Sequence, residues 1–229
     1  MSSHTQDRSI VATTRRAGFA LAAAAAALVA VAPAATAAPA HQAVPGCAPA
    51  PAGAPNGKQW PAEPALTIDQ AATHTATLET TCGTISIALE AAAAPRTVNS
   101  FAFLAGEGYF DHTRCHRLTT DGIYVLQCGD PTGTGTGGPG YRFDDENLAG
   151  AVYPAGTVAM ANAGPGTNGS QFFLVHRDTP LPPNYTPFGR VTAGLDVLTT
   201  IAAAGVVGGG PDGKPVADVV LNAVTTAQS

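Results

Sequence analysis

The chain has 229 residues, of which 45% are apolar and 12% charged, with 26 glycines and 19 prolines. That length suits one ordinary domain, and glycine and proline at this level without a regular period exclude collagen, coiled coils and long helical bundles. Eleven basic against sixteen acidic residues give a net charge of −5, and the only lysines are Lys58 and Lys214, so nucleic acid and anionic lipid are not the partners to expect.

Arg8, Arg15 and Arg16 precede an apolar run from Ala17 to Ala32, followed by Pro33 and Ala35-Thr36-Ala37. Basic start, short apolar stretch and small residues together predict a secretory signal peptide over residues 1–37, cleaved near Ala37, and a secreted or cell-envelope location. The run falls short of the roughly 20 strongly apolar residues of a membrane span. Membrane attachment would require an uncleaved leader or a lipid on Cys47 in Val44-Pro45-Gly46-Cys47. Removal of the leader leaves eight basic and fifteen acidic groups, a net charge of −7.

Residues 38–70 repeat Ala and Pro with no apolar period of 2 or 3.6, which predicts a disordered linker. From His74 the pattern alternates. Thr75–Glu79 and Thr84–Leu89 read as two strands joined at Cys82-Gly83. Pro95 opens a helix whose apolar positions Val98, Phe101 and Leu104 recur at helical spacing until Gly106. Short β-like stretches follow at 114–119, 123–127, 157–161, 171–176 and 187–191, then a second helix over 193–204 and a closing strand over 216–224. Many short strands with two helices predict a closed barrel over residues 71–229.

Four cysteines, at 47, 82, 115 and 128, allow three disulfide pairings in an exported chain, with buried reduced thiols as the alternative. Cys115 and Cys128 flank a hairpin, which favours that pair. Neither a Cys-x-x-Cys pair nor paired histidines suggest a metal. The glycine-rich run Gly129–Gly138 lacks the Gly-Lys-Ser/Thr ending and following helix of a phosphate loop, and reads as a surface loop that could border a groove. Gly169-Ser170-Gln171 is not a nucleophile elbow.

The informative constellation is Cys115-His116-Arg117-Leu118, then Tyr124-Val125-Leu126-Gln127-Cys128-Gly129-Asp130, then Met160-Ala161-Asn162-Ala163-Gly164-Pro165-Gly166-Thr167-Asn168-Gly169-Ser170-Gln171-Phe172-Phe173. In these motifs the chain resembles the cyclophilins, peptidyl-prolyl cis-trans isomerases, from about His74 to its end, and its insertion after Arg117 and Pro182-Pro183 resemble exported actinobacterial forms. The resemblance implies a closed eight-stranded antiparallel barrel capped by two α-helices, with an outer peptide groove and no cofactor. It implies Arg117 as the catalytic residue and Phe173 as the floor of a proline pocket. Gln127, Ala161, Asn162 and Gln171 would line the peptide track. Tyr124 and Val125 stand where the family has Phe and Met, Leu181 near its Trp and Tyr185 near its His. The implied partners are proline-containing peptides and unfolded exported proteins, bound by a monomer; the alternative is a catalytically weak peptide-binding or chaperone module on the same barrel.

The chemistry suits these residue types. Rotation about an X-Pro bond crosses a barrier of ~18–20 kcal/mol because amide resonance is lost. A twisted proline nitrogen regains a lone pair, and a guanidinium offers fixed, permanently charged donors to it.

Overall fold

The computed structural model describes residues 44–229. The leader expected over residues 1–37 lies outside them. Ten strands and two helices follow in chain order: β1 (His74–Thr80), β2 (Gly83–Leu89), α1 (Pro95–Gly106), β3 (Thr113–Arg114), β4 (Arg117–Thr119), β5 (Val125–Cys128), β6 (Thr157–Met160), β7 (Phe172–Val175), β8 (Pro187–Ala193), α2 (Leu195–Ala204), β9 (Asp212–Gly213) and β10 (Val220–Gln228). The β1–β2 hairpin and both helices sit where alternation and helical spacing put them.

All strand pairs are antiparallel, in the order β3-β10-β1-β2-β8-β6-β7-β5-β4-β9. The expected closed, eight-stranded barrel is therefore corrected to an open, ten-stranded half-barrel. The difference arises at the two ends of the order, which are the two-residue strands β3 and β9. Yet β3 and β4 are separated only by Cys115 and His116, so the ends of the sheet must curl toward each other. Covalent structure crosses the seam where a ladder does not: the chain itself, and a disulfide from Cys115 to Cys128 on β5.

Side-chain alternation sorts the strands into two apolar layers. On β7, Phe172 and Leu174 join the main core inside the curl, whereas Phe173 and Val175 join a smaller cluster with Val125, Tyr153 and Ala159. Leu126 on β5 and Val158 and Met160 on β6 likewise face the main core. There Phe101 from α1 packs against Phe110, Phe172 and Phe188 at 5.0, 5.4 and 5.4 Å between ring centroids. Each such buried ring contributes about 1.5–3 kcal/mol. Helix α1 starts at Pro95, whose missing N–H costs nothing in the first turn. Its next donors, Arg96 N, Thr97 N and Thr97 Oγ1, all reach the Glu146 carboxylate at 2.8–3.1 Å.

The described part of the 38–70 segment is not a free linker. A disulfide joins Cys47 to Cys82 in the β1–β2 turn. Ala48 N donates to Thr81 O, Asn56 Nδ2 to Glu107 O and Gly108 O, and Thr67 N to Asn99 Oδ1. The Trp60 ring meets Phe103 edge-on at 5.2 Å and Tyr109 at a tilt at 5.7 Å, and the Trp60 backbone N–H donates to Pro139 O at 2.8 Å. The segment is a strap over α1. It shows no local period because cross-links to distant residues, not its own pattern, give it order. The same disulfide leaves Cys47 no thiol for a lipid.

Candidate active site

The outer apolar cluster underlies a cleft of about 450 Å³. Register explains its composition. Arg117 on β4 stands opposite Gln127 on β5, Gln127 opposite Phe173 on β7, and Phe173 opposite Ala159 on β6, so one row of residues runs across four strands. With neighbouring strands ~4.8 Å apart, the guanidinium's strand lies about 10 Å from the Phe173 strand, the reach of about three extended residues. Val125 and Val175 form the next row on the same face.

The cleft gathers Arg117, Val125, Gln127, Ala161, Asn162, Phe173, Leu181 and Tyr185, eight of the ten residues singled out from the sequence. Gln171 lines an adjoining cavity of about 770 Å³, which shares Gln127, Ala161 and Asn162 with the first. Tyr124 is the exception. Its ring lies against His176 at 5.9 Å and beneath the Arg177 guanidinium at 3.5 Å, while Ile123 lines the cleft in its place. Ile123 and Tyr124 lie in the connection just before β5, which turns Ile123 toward the cleft beside Val125 and Tyr124 away from it.

The floor is aromatic. Phe173 meets Tyr185 edge-on at 5.6 Å and Tyr153 at 6.2 Å. The Tyr153 hydroxyl donates to Tyr185 O at 2.8 Å and accepts from Tyr185 N at 3.1 Å, so it holds the backbone of the cleft's far wall. Burial pushes that phenol's pKa up, although its bond to Tyr185 works against the shift. Tyr153 carries no motif signal and was not legible as a site residue.

Polar groups form a connected line above the floor. Arg117 Nη1 donates to Gln127 Oε1 at 3.3 Å, Gln127 Nε2 to Gln171 Oε1 at 2.9 Å, and Gln171 Nε2 to Gly137 O at 2.9 Å. At the other end, Arg117 Nε and Nη2 donate to the two oxygens of Asp212 at 2.8 and 2.6 Å. That hydrogen-bonded pair raises the arginine's pKa and holds the carboxyl below its ordinary value. The guanidinium is charged at every working pH. The Asn162 amide is engaged within the protein, donating to Asn184 O at 2.8 Å while its Oδ1 accepts from Gly164 N at 3.2 Å. It shapes the rim rather than offering a free amide.

The Gly129–Gly138 run borders both cavities and is a built loop. Its centre is Asp130, fully buried, whose carboxylate accepts from Thr132 N, Thr132 Oγ1, Thr134 N, Gly135 N and Gly137 N. Burial alone would raise the Asp130 pKa; the bonds from Thr132, Gly137 and Gly135 outweigh it and leave the value below the ordinary one. A side chain at Gly137 would strike that carboxylate, and Gly129, at φ +86°, abuts Ser170 O and Phe172. His116 faces the loop with neither ring nitrogen hydrogen-bonded within the protein, and burial lowers its pKa. Ser170 Oγ donates to Gly129 O at 2.7 Å, a structural bond with no nucleophile's base beside it. Among the described residues no group of three His, Cys, Asp or Glu side chains is placed to hold a metal.

The motif residues thus meet on one sheet face around an apolar pocket. The sequence profile of the family described as "Cyclophilin type peptidyl-prolyl cis-trans isomerase/CLD" matches residues 75–226. The chain belongs to the cyclophilin family. It is 53% identical over 156 residues to the "Probable peptidyl-prolyl cis-trans isomerase B" of Mycobacterium tuberculosis, covering 62% of this chain and 51% of that protein. Against the protein of the same description from Mycobacterium leprae the identity is 50% over 167 residues, covering 67% and 57%. The chain therefore spans little more than half the length of these relatives. Among solved structures, a Cryptosporidium parvum cyclophilin type peptidyl-prolyl cis-trans isomerase in the presence of the dipeptide Ala-Pro superposes with a TM-score of 0.61 at 30% identity, covering 68% of this chain and 99% of that one. The strap over 44–70 precedes the family match.

Proposed function

We propose that this cyclophilin catalyses cis-trans rotation about X-Pro bonds in peptides. The observation that carries the reading is the cross-strand row that sets a guanidinium and an aromatic floor on either side of one cleft. No bond is made or broken in this reaction, so the site needs only to bind the twisted amide more tightly than either planar isomer.

The pyrrolidine ring enters the pocket of Phe173, Val125, Leu181 and Tyr185, where an apolar five-membered ring displaces water. One side of the bond is thereby held while the other turns. As the amide twists, its nitrogen becomes pyramidal, and an Arg117 N–H donates to the emerging lone pair. That bond is weak in the planar states, where resonance delocalises the nitrogen electrons, so it lowers the barrier selectively. Acid-base exchange plays no part. The Ala-Pro dipeptide with the Cryptosporidium structure supports a proline-containing ligand on this fold.

Unfolded exported proteins are the proposed substrates, with the cell envelope or exterior as the location. The leader-like start over residues 1–37 supports this, as do four cysteines that all form disulfides, a state that persists in oxidising compartments.

The test is exchange NMR on a short X-Pro peptide, with the full chain as wild type and as Arg117→Ala. A charge-assisted bond worth ~1.5–3 kcal/mol in the twisted state predicts a loss of about 10- to 100-fold. Peptide binding without accelerated exchange would leave a binding module in place of the enzyme. Equal acceleration by both proteins would remove Arg117 from the mechanism.

A further inference from the structure

Arg117 is not free in the cleft. Asp212 takes Nε and Nη2, and Gln127 takes Nη1, which engages three donors. A guanidinium carries five N–H groups in one plane, so one N–H on each terminal nitrogen is left. The two-point grip of a carboxylate fixes both the position and the plane of the fork, which a single hydrogen bond cannot do.

The carboxylate's own position is well determined. Asp212 lies on β9, whose two residues pair with Thr119 and Leu118 of the arginine's own strand. The hairpin that delivers it, rich in glycine at 208–210, is pinned at its base by the Val206–Pro215 bridge, by Val207 N on Lys214 O at 2.8 Å, and by Thr120 N on Pro211 O at 2.8 Å. Nothing else in the cleft engages the carboxylate, and the strand is too short to contribute much as sheet.

We infer that Asp212 is a positioning residue for the isomerase reaction: it holds the Arg117 guanidinium in the plane from which its remaining N–H groups reach the twisted proline nitrogen. The inference rests on the isomerase reading above. Without Asp212, only the 3.3 Å bond to Gln127 restrains a long side chain that is already 37% exposed, and the guanidinium samples water-facing rotamers. Asp212 lines the same cleft, but its carboxylate bonds only to Arg117 and not to the apolar floor of Phe173, Val125, Leu181 and Tyr185 that takes the proline ring, so the loss falls on turnover and spares affinity.

The experiment uses the full chain as wild type, Asp212→Ala and Asp212→Asn, with Arg117→Lys to assign the Arg117 Nε–H resonance by its disappearance. Exchange at saturating X-Pro peptide, peptide affinity and the protection of that Nε–H from solvent are measured on each. Asp212→Ala is expected to lose about three- to tenfold in catalysed exchange, a part of the loss expected for Arg117→Ala, because the guanidinium is kept but no longer held in place. Its peptide affinity stays within twofold and the Nε–H protection disappears. Asp212→Asn, isosteric but with one acceptor, falls between. Wild-type turnover in Asp212→Ala, or an affinity loss matching the rate loss with Nε–H protection intact, overturns the inference and leaves the isomerase reading standing. A wild-type chain that binds peptide without accelerating exchange overturns the isomerase reading, and this inference with it.

Discussion

The two disulfides should separate stability from turnover. Cys47 and Cys82 are 35 residues apart in sequence, Cys115 and Cys128 only 13. Chain entropy of the unfolded state then assigns ~4 kcal/mol to the longer loop and ~3 kcal/mol to the shorter. Their places in the fold differ more than these energies. Cys47–Cys82 anchors the strap to the β1–β2 turn, remote from the cleft, whereas Cys115 lies two residues before Arg117 and Cys128 directly after Gln127. The second bond ties the connection just before β4 to the end of β5, the two paired strands that carry the polar line of the site. Paired alanine variants of each bond, and the wild type reduced by thiol, are to be compared by denaturant unfolding and by X-Pro exchange. Cys47→Ala with Cys82→Ala should lose the greater stability and keep its turnover under native conditions. Cys115→Ala with Cys128→Ala should lose slightly less stability but several-fold in turnover, as the β4–β5 hairpin gains freedom. The reasoning is refuted if the two pairs reduce turnover equally, or if the shorter loop proves the more stabilising by more than the small cavity left at buried Cys128 can explain.

Three further outcomes follow from the packing. Asp130→Ala strands four backbone N–H groups of the 130–137 loop, which should cost about 3 kcal/mol in unfolding free energy. Because the folded pKa of Asp130 is depressed, its contribution is complete above an unfolded value of about 4 and is lost as pH falls further; acid titration of stability should therefore be shallower in the variant, and an unchanged slope would contradict this. Tyr153→Phe removes the hydroxyl that both donates to and accepts from Tyr185, at a cost of about 1–3 kcal/mol, and should weaken peptide binding measurably by NMR titration. Deletion of residues 1–69 removes the disulfide, the Trp60 ring and the Asn99 contacts together, so its midpoint in urea should fall by more than that of the Cys47→Ala, Cys82→Ala chain. Equal midpoints would mean that the strap acts through the disulfide alone.

The sequence by itself determined whatever rests on neighbours along the chain. Alternation located the β1–β2 hairpin, Pro95 and the spacing of Val98, Phe101 and Leu104 located α1, and the three motifs, with the family resemblance they carry, picked out eight residues that meet in one cleft. The Cys115–Cys128 pair was legible too, because both cysteines border one hairpin. Tertiary structure decided whatever depends on contacts between distant segments. The bend that leads into β5 placed Ile123 in the cleft and turned Tyr124 away onto His176 and Arg177. Residues 44–70 looked like linker because alanine and proline carry no period, yet Cys82, Asn99 and Pro139 give them fixed partners. Asp212 reaches Arg117 across 95 residues of chain on a strand of two. A local pattern records which face of a segment is apolar; it holds no record of which remote carboxylate, carbonyl or thiol the folded sheet will bring beside it.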